Sequence, residues 1–152
     1  MLVSEIMSKD VVTVENTKSV FEACNIYRDC GVGSLVVMRE GIVVGILTER
    51  DIIERVIVDQ KDPRDTKVED IMSKDIKTVH ASARVEKAVE IMRENKIKKL
   101  PVILNNNIFG IVTITDIANI LPDISKLLDQ EIQNSKQCQI TDYQWSILRG
   151  AL

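Results

Sequence analysis

Threonine and aspartate stand three residues apart at two places in the chain, in Thr48-Glu49-Arg50-Asp51 and in Thr113-Ile114-Thr115-Asp116. Each element follows an aliphatic run, so each reads as a strand leading into a helix with threonine at the N-cap, worth about 1 kcal/mol. The same geometry leaves backbone N–H groups at a helix start, which suits an anion, and offers a carboxylate that can accept from two ribose hydroxyls. From these residues alone, capping and ligand binding both stand. Arg50, whose place in the second element is taken by Thr115, is a candidate for a phosphate.

A second candidate is the pair Lys98-Lys99 just before an aliphatic run. Two ammonium groups there either neutralise a phosphate as point charges or simply sit in solvent. Little else supports chemistry. A nucleophile, a base and an orienting group are needed for hydrolysis or transfer, and the single histidine, His80, sits alone in a loop position. Cys24, Cys30 and Cys138 have no CxxC spacing, so neither a disulfide framework nor a zinc ribbon is indicated. They read as core or incidental thiols. Asp59, Asp62 and Asp65 lack the glycine and closing glutamate of a calcium loop. No enzyme, no metal site and no required cofactor are expected.

The elements that must position these residues come in duplicate. Val3 to Val14 recurs as Val68 to Val79, and the offset of 65 continues without a gap to Ile52 and Ile117, giving nineteen identities over fifty positions. In this alignment Gly33-Ser34 is matched by Lys98-Lys99. Each copy opens with a β-rich run, Asp10 to Val14 or Asp75 to Val79. A helix follows, with apolar positions at i, i+3, i+4 and i+7: Val20, Ala23, Cys24 and Tyr27, then Val85, Ala88, Val89 and Met92. Two strands come next, Ser34 to Met38 and Ile42 to Leu47, turned through Arg39-Glu40-Gly41. Their counterparts, Leu100 to Leu104 and Ile108 to Val112, turn through Asn105-Asn106-Asn107. A last helix is expected over Thr48 to Val58 and Thr113 to Leu121.

The strands are nearly continuous aliphatic runs, so both faces of each sheet should be covered. One unit of this size hardly buries that surface alone. Two units packed about a pseudo-twofold axis solve the problem and leave a cleft at their junction. The expected organisation is an α+β chain with repeats over residues 1–58 and 68–122, a charged, proline-broken linker over 59–67, and a tail over 123–152. Ile124, Leu127, Leu128 and Ile132 form an amphipathic stripe in that tail, and Tyr143 to Leu148 holds the only tryptophan.

Composition narrows the function classes. With 45% apolar, 28% charged and 3% aromatic residues the chain reads as a globular protein with an aliphatic core. A formal net charge of −3 argues against broad binding of a phosphate backbone. No run approaches the roughly 18 apolar residues of a membrane span, and the first residues lack a signal-peptide pattern. A soluble, cytoplasmic protein is the expectation.

The tandem β-α-β-β-α order, the phrase Ile6-Met7-Ser8-Lys9-Asp10 with its repeat Ile71-Met72-Ser73-Lys74-Asp75, and the closing segments Gly45 to Ile52 and Gly110 to Ile117 resemble a cystathionine-β-synthase-type (CBS) domain pair. The resemblance covers residues 3 to about 121. It implies a regulatory module for an adenosyl-containing ligand such as AMP, ADP, ATP or S-adenosylmethionine. It further implies ribose-binding roles for Asp51 and Asp116, with Thr48, Thr113 and Thr115 as hydroxyl donors. The base would lie against Val11, Val12 and Val32 in one copy and Ile76, Lys77 and Ile97 in the other. Apolar helix faces predict a homodimer. The competing readings are a ligand-independent interaction scaffold and, against the net charge, a nucleic-acid binder using Lys96, Lys98 and Lys99.

Overall fold

The computed structural model describes residues 1–121 together with 123, 126, 130, 132 and 133. Element order is α1 (Val3–Ile6), β1 (Thr13–Glu15), α2 (Val20–Cys30), β2 (Ser34–Arg39), β3 (Ile42–Thr48) and α3 (Glu49–Ile52), which opens into a π-helical turn at Ile53–Ile57. The second copy follows as α4 (Val68–Ile71), β4 (Val79–His80), α5 (Val85–Asn95), β5 (Lys99–Leu104), β6 (Asn107–Thr113) and α6 (Ile114–Ala118). Two α+β repeats are therefore present in tandem, each with a three-stranded sheet in which the first strand runs parallel to the second and the second antiparallel to the third.

Local chemistry explains the boundaries. Helix α2 begins at Ser19, whose hydroxyl accepts from the Glu22 N–H while the Glu22 carboxylate accepts from the Ser19 N–H, a capping box. It stops at Gly31, at φ 63°, a left-handed cap that glycine adopts without a Cβ clash. The hairpins turn through Glu40-Gly41 and Asn105-Asn106, all four at positive φ, as the tightest hairpin turns require.

Three features differ from the expected elements. The opening strands are shorter than expected, Thr13–Glu15 and Val79–His80, and residues 10–12 and 75–77 ahead of them line the clefts described below. The helix expected over 48–58 is α for one turn and then widens, with the Val58 N–H reaching the Ile53 carbonyl. Burial on both faces holds for the central strands β2 and β5 but only partly for β3 and β6, which lie at the sheet edges and alternate.

The short helices α1 and α4 exchange partners. Val3 is buried in the core built from Val79, Val85, Ala88, Met92, Leu100 and Val102, which belongs to repeat 2. Val68, Ile71 and Met72 are buried with Val14, Val20, Leu35, Val37 and Leu47 of repeat 1. The backbone bridges are reciprocal: Ser8 pairs with Ile111, and Ser73 with Ile46. The close approach needs Gly45 and Gly110, where an added Cβ would meet Met72 and the Ser73 carbonyl, or Met7 and the Ser8 carbonyl. Each copy thus completes the other's core, which is why neither need bury its surface alone.

The segment 59–67 is held as well: the Thr66 and Pro63 carbonyls accept from the Val20 and Phe21 N–H groups, satisfying the first turn of α2. Residues 123, 126, 130, 132 and 133 are helical, and Ile132 is fully buried in the core of repeat 2. Tyr143 to Leu148, Cys138, Ile124, Leu127 and Leu128 lie outside the described residues.

Candidate functional site

Several clefts open along the junction of the repeats. One of about 440 Å³, between Asn16, Arg39 and Val44 of repeat 1 and Glu69, Asp70 and Lys74 of repeat 2, holds neither threonine element. Two others hold one threonine element each, the larger of this pair enclosing about 390 Å³ and the smaller about 160 Å³. Both are assembled across the junction. The large cleft sets Thr48, Glu49 and Arg50 of repeat 1 against Ile76, Lys77 and Ile97 of repeat 2, with Lys98, Lys99 and Gly33 alongside. In the small cleft Val11, Val12 and Val32 of repeat 1 face Ile111 and Thr113 of repeat 2, again with Lys99 and Gly33. The residues read from the sequence as a base wall in one copy therefore meet the threonine element of the other copy.

The threonine–aspartate elements are capped as anticipated. The Thr48 N–H and hydroxyl both donate to Asp51 Oδ2, each at 2.8 Å, and the Asp51 N–H donates back to Thr48 Oγ1 at 3.2 Å. Thr113 and Asp116 repeat the pattern at 2.7, 2.8 and 3.3 Å. One carboxylate oxygen of each aspartate is thus taken up by the helix start, which leaves the second to act elsewhere.

The second oxygens differ between copies. Asp51 is 7% exposed and stands beneath the large cleft rather than in its wall; its Oδ1 is 3.4 Å from Ser73 Oγ, a wall residue, and 3.6 Å from Arg55. Asp116 is half-buried, and Ile120 replaces the arginine. Thr115 is exposed and lies outside both cleft walls. His80 is exposed and shares a hydrogen bond with Ser82 rather than facing a cleft.

Charge in the large cleft is partly compensated. Lys77 pairs with Asp75 at 2.8 Å, and Arg50 with Glu54 at 2.5 Å. Behind the cleft, Tyr27 donates its hydroxyl to the Leu47 carbonyl. Burial, reinforced by the carboxylates of Asp51 and Glu49, pushes its phenol well above the ordinary tyrosine range.

Ser73, Gly33, Glu49 and Asp75 also line the large cleft and were not singled out from sequence. Ser73 had a visible signal, since Ser8 and Ser73 are identical across the repeat. Gly33 had none.

A family model described as the CBS domain matches the chain twice, over residues 3–58 and 68–123. The chain belongs to the CBS-domain family. An uncharacterized 17.7 kDa protein of Acidianus ambivalens is 38% identical over 124 residues, covering 80% of this chain and 74% of its own. A CBS-domain protein of unknown function from Thermoplasma acidophilum has the same fold, with a TM-score of 0.80, 30% identity and coverage of 91% and 79%. The CBS pair of protein MJ0100, solved in complex with 5'-methylthioadenosine and S-adenosyl-L-methionine, matches with a TM-score of 0.71, 29% identity and coverage of 80% and 96%. Among the described residues of this CBS pair, no helix is long and apolar enough to cross a membrane.

Proposed function

We propose that this CBS pair is a non-catalytic regulatory module that takes an adenosyl-containing small molecule, of the AMP, ADP, ATP or S-adenosylmethionine class, at the junction of its repeats. The observation that carries the reading is the large cleft, where an apolar wall of Ile76 and Ile97 faces Thr48 and Arg50 across the repeat junction, with Lys98 and Lys99 alongside. Apolar walls with a few convergent polar groups suit a flat base carrying a polar sugar. The adenosyl complex of the MJ0100 pair supports the ligand class.

In this reading the base rests on Ile76, Lys77 and Ile97, or on Val11, Val12 and Val32 in the small cleft. Thr48 and Thr113 meet the ribose, and Asp51 joins through Oδ1 once a hydroxyl displaces the long contact from Ser73. Asp116 takes the corresponding role behind Thr113 of the small cleft, the exposed Thr115 takes none, and Arg50, Lys98 and Lys99 serve phosphate. Ligand binding changes the relation of the two repeats, and a protein partner or a second copy of the chain reads the change. Ile53, Ile57 and Val58, exposed by 56%, 63% and 67% on one helical segment, supply the apolar face for a homodimer. The free thiols Cys24 and Cys30 fit a reducing, cytoplasmic setting.

A thermal-shift panel of adenosyl compounds, with mass spectrometry of any co-purified ligand, tests the reading. A ligand at a hundred times its dissociation constant stabilises by about 2.7 kcal/mol, a rise of roughly 5–10 °C at this chain length. If no adenosyl compound moves the melting temperature at millimolar concentration, the scaffold reading replaces it; the internal satisfaction of both threonine–aspartate caps favours that alternative.

A further inference from the structure

The two clefts occupy equivalent places in the repeats yet are not equivalent sites. Small-molecule sites usually enclose roughly 300–1,000 Å³, a range that the cleft of about 390 Å³ enters and the cleft of about 160 Å³ does not. Arg50, Lys77, Lys98 and Lys99 line the large cleft against Glu49 and Asp75. The charged residues lining the small cleft are Lys99 and Asp10 alone.

Lys99 belongs to both. Its ammonium nitrogen lies 2.8 Å from the point where Gly33 would carry a Cβ, so the side chain crosses from repeat 2 onto the glycine that both clefts share. The repeat equivalent of Lys99 is Ser34, which offers no charge in return. Two clefts are therefore served by one ammonium at their boundary, and Lys99 forms no salt bridge within the described residues.

Building on the adenosyl reading above, we infer that each chain holds one phosphorylated adenosyl ligand, in the large cleft, and that Lys99 is the residue that decides this. A phosphate in the large cleft draws the Lys99 ammonium to itself. The small cleft is then left with the carboxylate of Asp10 and no neutralising cation, so it rejects a second anion. Gly33 leaves room for the lysine at the boundary, where an added Cβ would meet only the flexible end of that side chain.

Isothermal titration of the full chain with AMP and, separately, with adenosine tests this on wild type, Lys99→Ala and Lys99→Arg. Wild type is expected to take one AMP per chain. Lys99→Ala should lose about tenfold in AMP affinity while adenosine changes less than twofold, and Lys99→Arg should keep the preference for AMP because the charge is retained. Two AMP molecules bound per chain with equal affinity overturn the inference. So does a parallel loss for AMP and adenosine in Lys99→Ala, which would mark the lysine as structural. If adenosine and AMP both fail to bind wild type, the adenosyl reading itself fails and this inference falls with it; if they bind and only the lysine pattern fails, the adenosyl reading survives.

Discussion

Arg55 Nη1 lies 2.6 Å from the carbonyl oxygen of Ile71, so a side chain at the end of the first repeat is tied to the backbone that opens the second. The same guanidinium stands 3.6 Å from Asp51 Oδ1. One residue thus serves both the docking of α4 and the nearly buried carboxylate beneath the large cleft. Repeat 2 offers no equivalent, since Ile120 takes the aligned position.

Arg55→Ala should therefore destabilise the pair by about 1–2 kcal/mol, toward the lower end of the range for hydrogen bonds to charged groups because the side chain is 45% exposed. At this chain length that lowers the melting temperature by roughly 2–8 °C. Ile120→Ala, at the aligned place, removes no such bond and provides the contrast in a packing-only loss. Thermal denaturation of both variants checks it; a stability for Arg55→Ala equal to wild type would mean the contact to Ile71 contributes nothing in solution.

The glycines under the exchanged segments should also respond unequally. At Gly45 an added Cβ meets the flexible Met72 side chain and, at 3.1 Å, the Ser73 carbonyl; at Gly110 it meets Met7 Sδ at 2.6 Å and the Ser8 carbonyl at 2.7 Å. Methionine can move aside, whereas backbone paired with Ile111 cannot do so cheaply. Gly110→Ala is expected to cost about 1–3 kcal/mol, the usual range for overpacking, and Gly45→Ala less. Urea unfolding of the two variants measures the order, and a larger loss at Gly45 would contradict it.

How much of this was legible from the residues alone depends on whether a feature is local. The apolar spacing of Val20, Ala23, Cys24 and Tyr27 lies within one helix, and the helix formed where the period placed it. Thr48 and Thr113 are three residues from the aspartates they cap, so both caps were readable. The exchange of α1 and α4 was not. Val3 and Val68 sit in closely similar phrases, and similarity between copies says that a segment is used twice but not which core receives it. The cross-repeat partner of Asp51 was hidden for the same reason: Arg55 is only four residues away, but Ser73 reaches the carboxylate only when the repeats pack. Lys98 and Lys99 were visible as a difference between the copies, while the sharing of Lys99 by two clefts takes place beside Gly33, distant in sequence.

The aligned pair Gly31 and Lys96 yields a stabilising prediction. Both residues end the long helix of their repeat in the left-handed conformation, at φ 63° and φ 53°. Glycine adopts it freely, while a residue with a Cβ is opposed by its carbonyl, at a cost of roughly 1–2 kcal/mol. Part of that gain is offset by the larger unfolded-state freedom of glycine. Lys96→Gly should therefore raise the melting temperature by roughly 1–4 °C, and calorimetry showing no rise would place the strain elsewhere.

Tyr27 predicts the behaviour at high pH. Its phenol is held neutral in the fold by burial and by the carboxylates of Asp51 and Glu49, with its pKa raised well above the ordinary value near 10. Below about pH 10 both the folded and unfolded states keep the proton, so Tyr27 adds no pH dependence there. Above it the unfolded state releases the proton while the folded state retains it. Fewer protons are then bound in the unfolded state, and stability falls as pH rises toward the folded pKa. Tyr27→Phe removes this contribution, and with it the hydrogen bond to the Leu47 carbonyl. The variant should be less stable than wild type at pH 7 by about 0.5–1.5 kcal/mol, yet lose less stability between pH 9 and pH 11. Denaturant titrations at those three pH values decide it: parallel alkaline losses in the two proteins would show that Tyr27 ionises in the folded state as readily as in the unfolded chain.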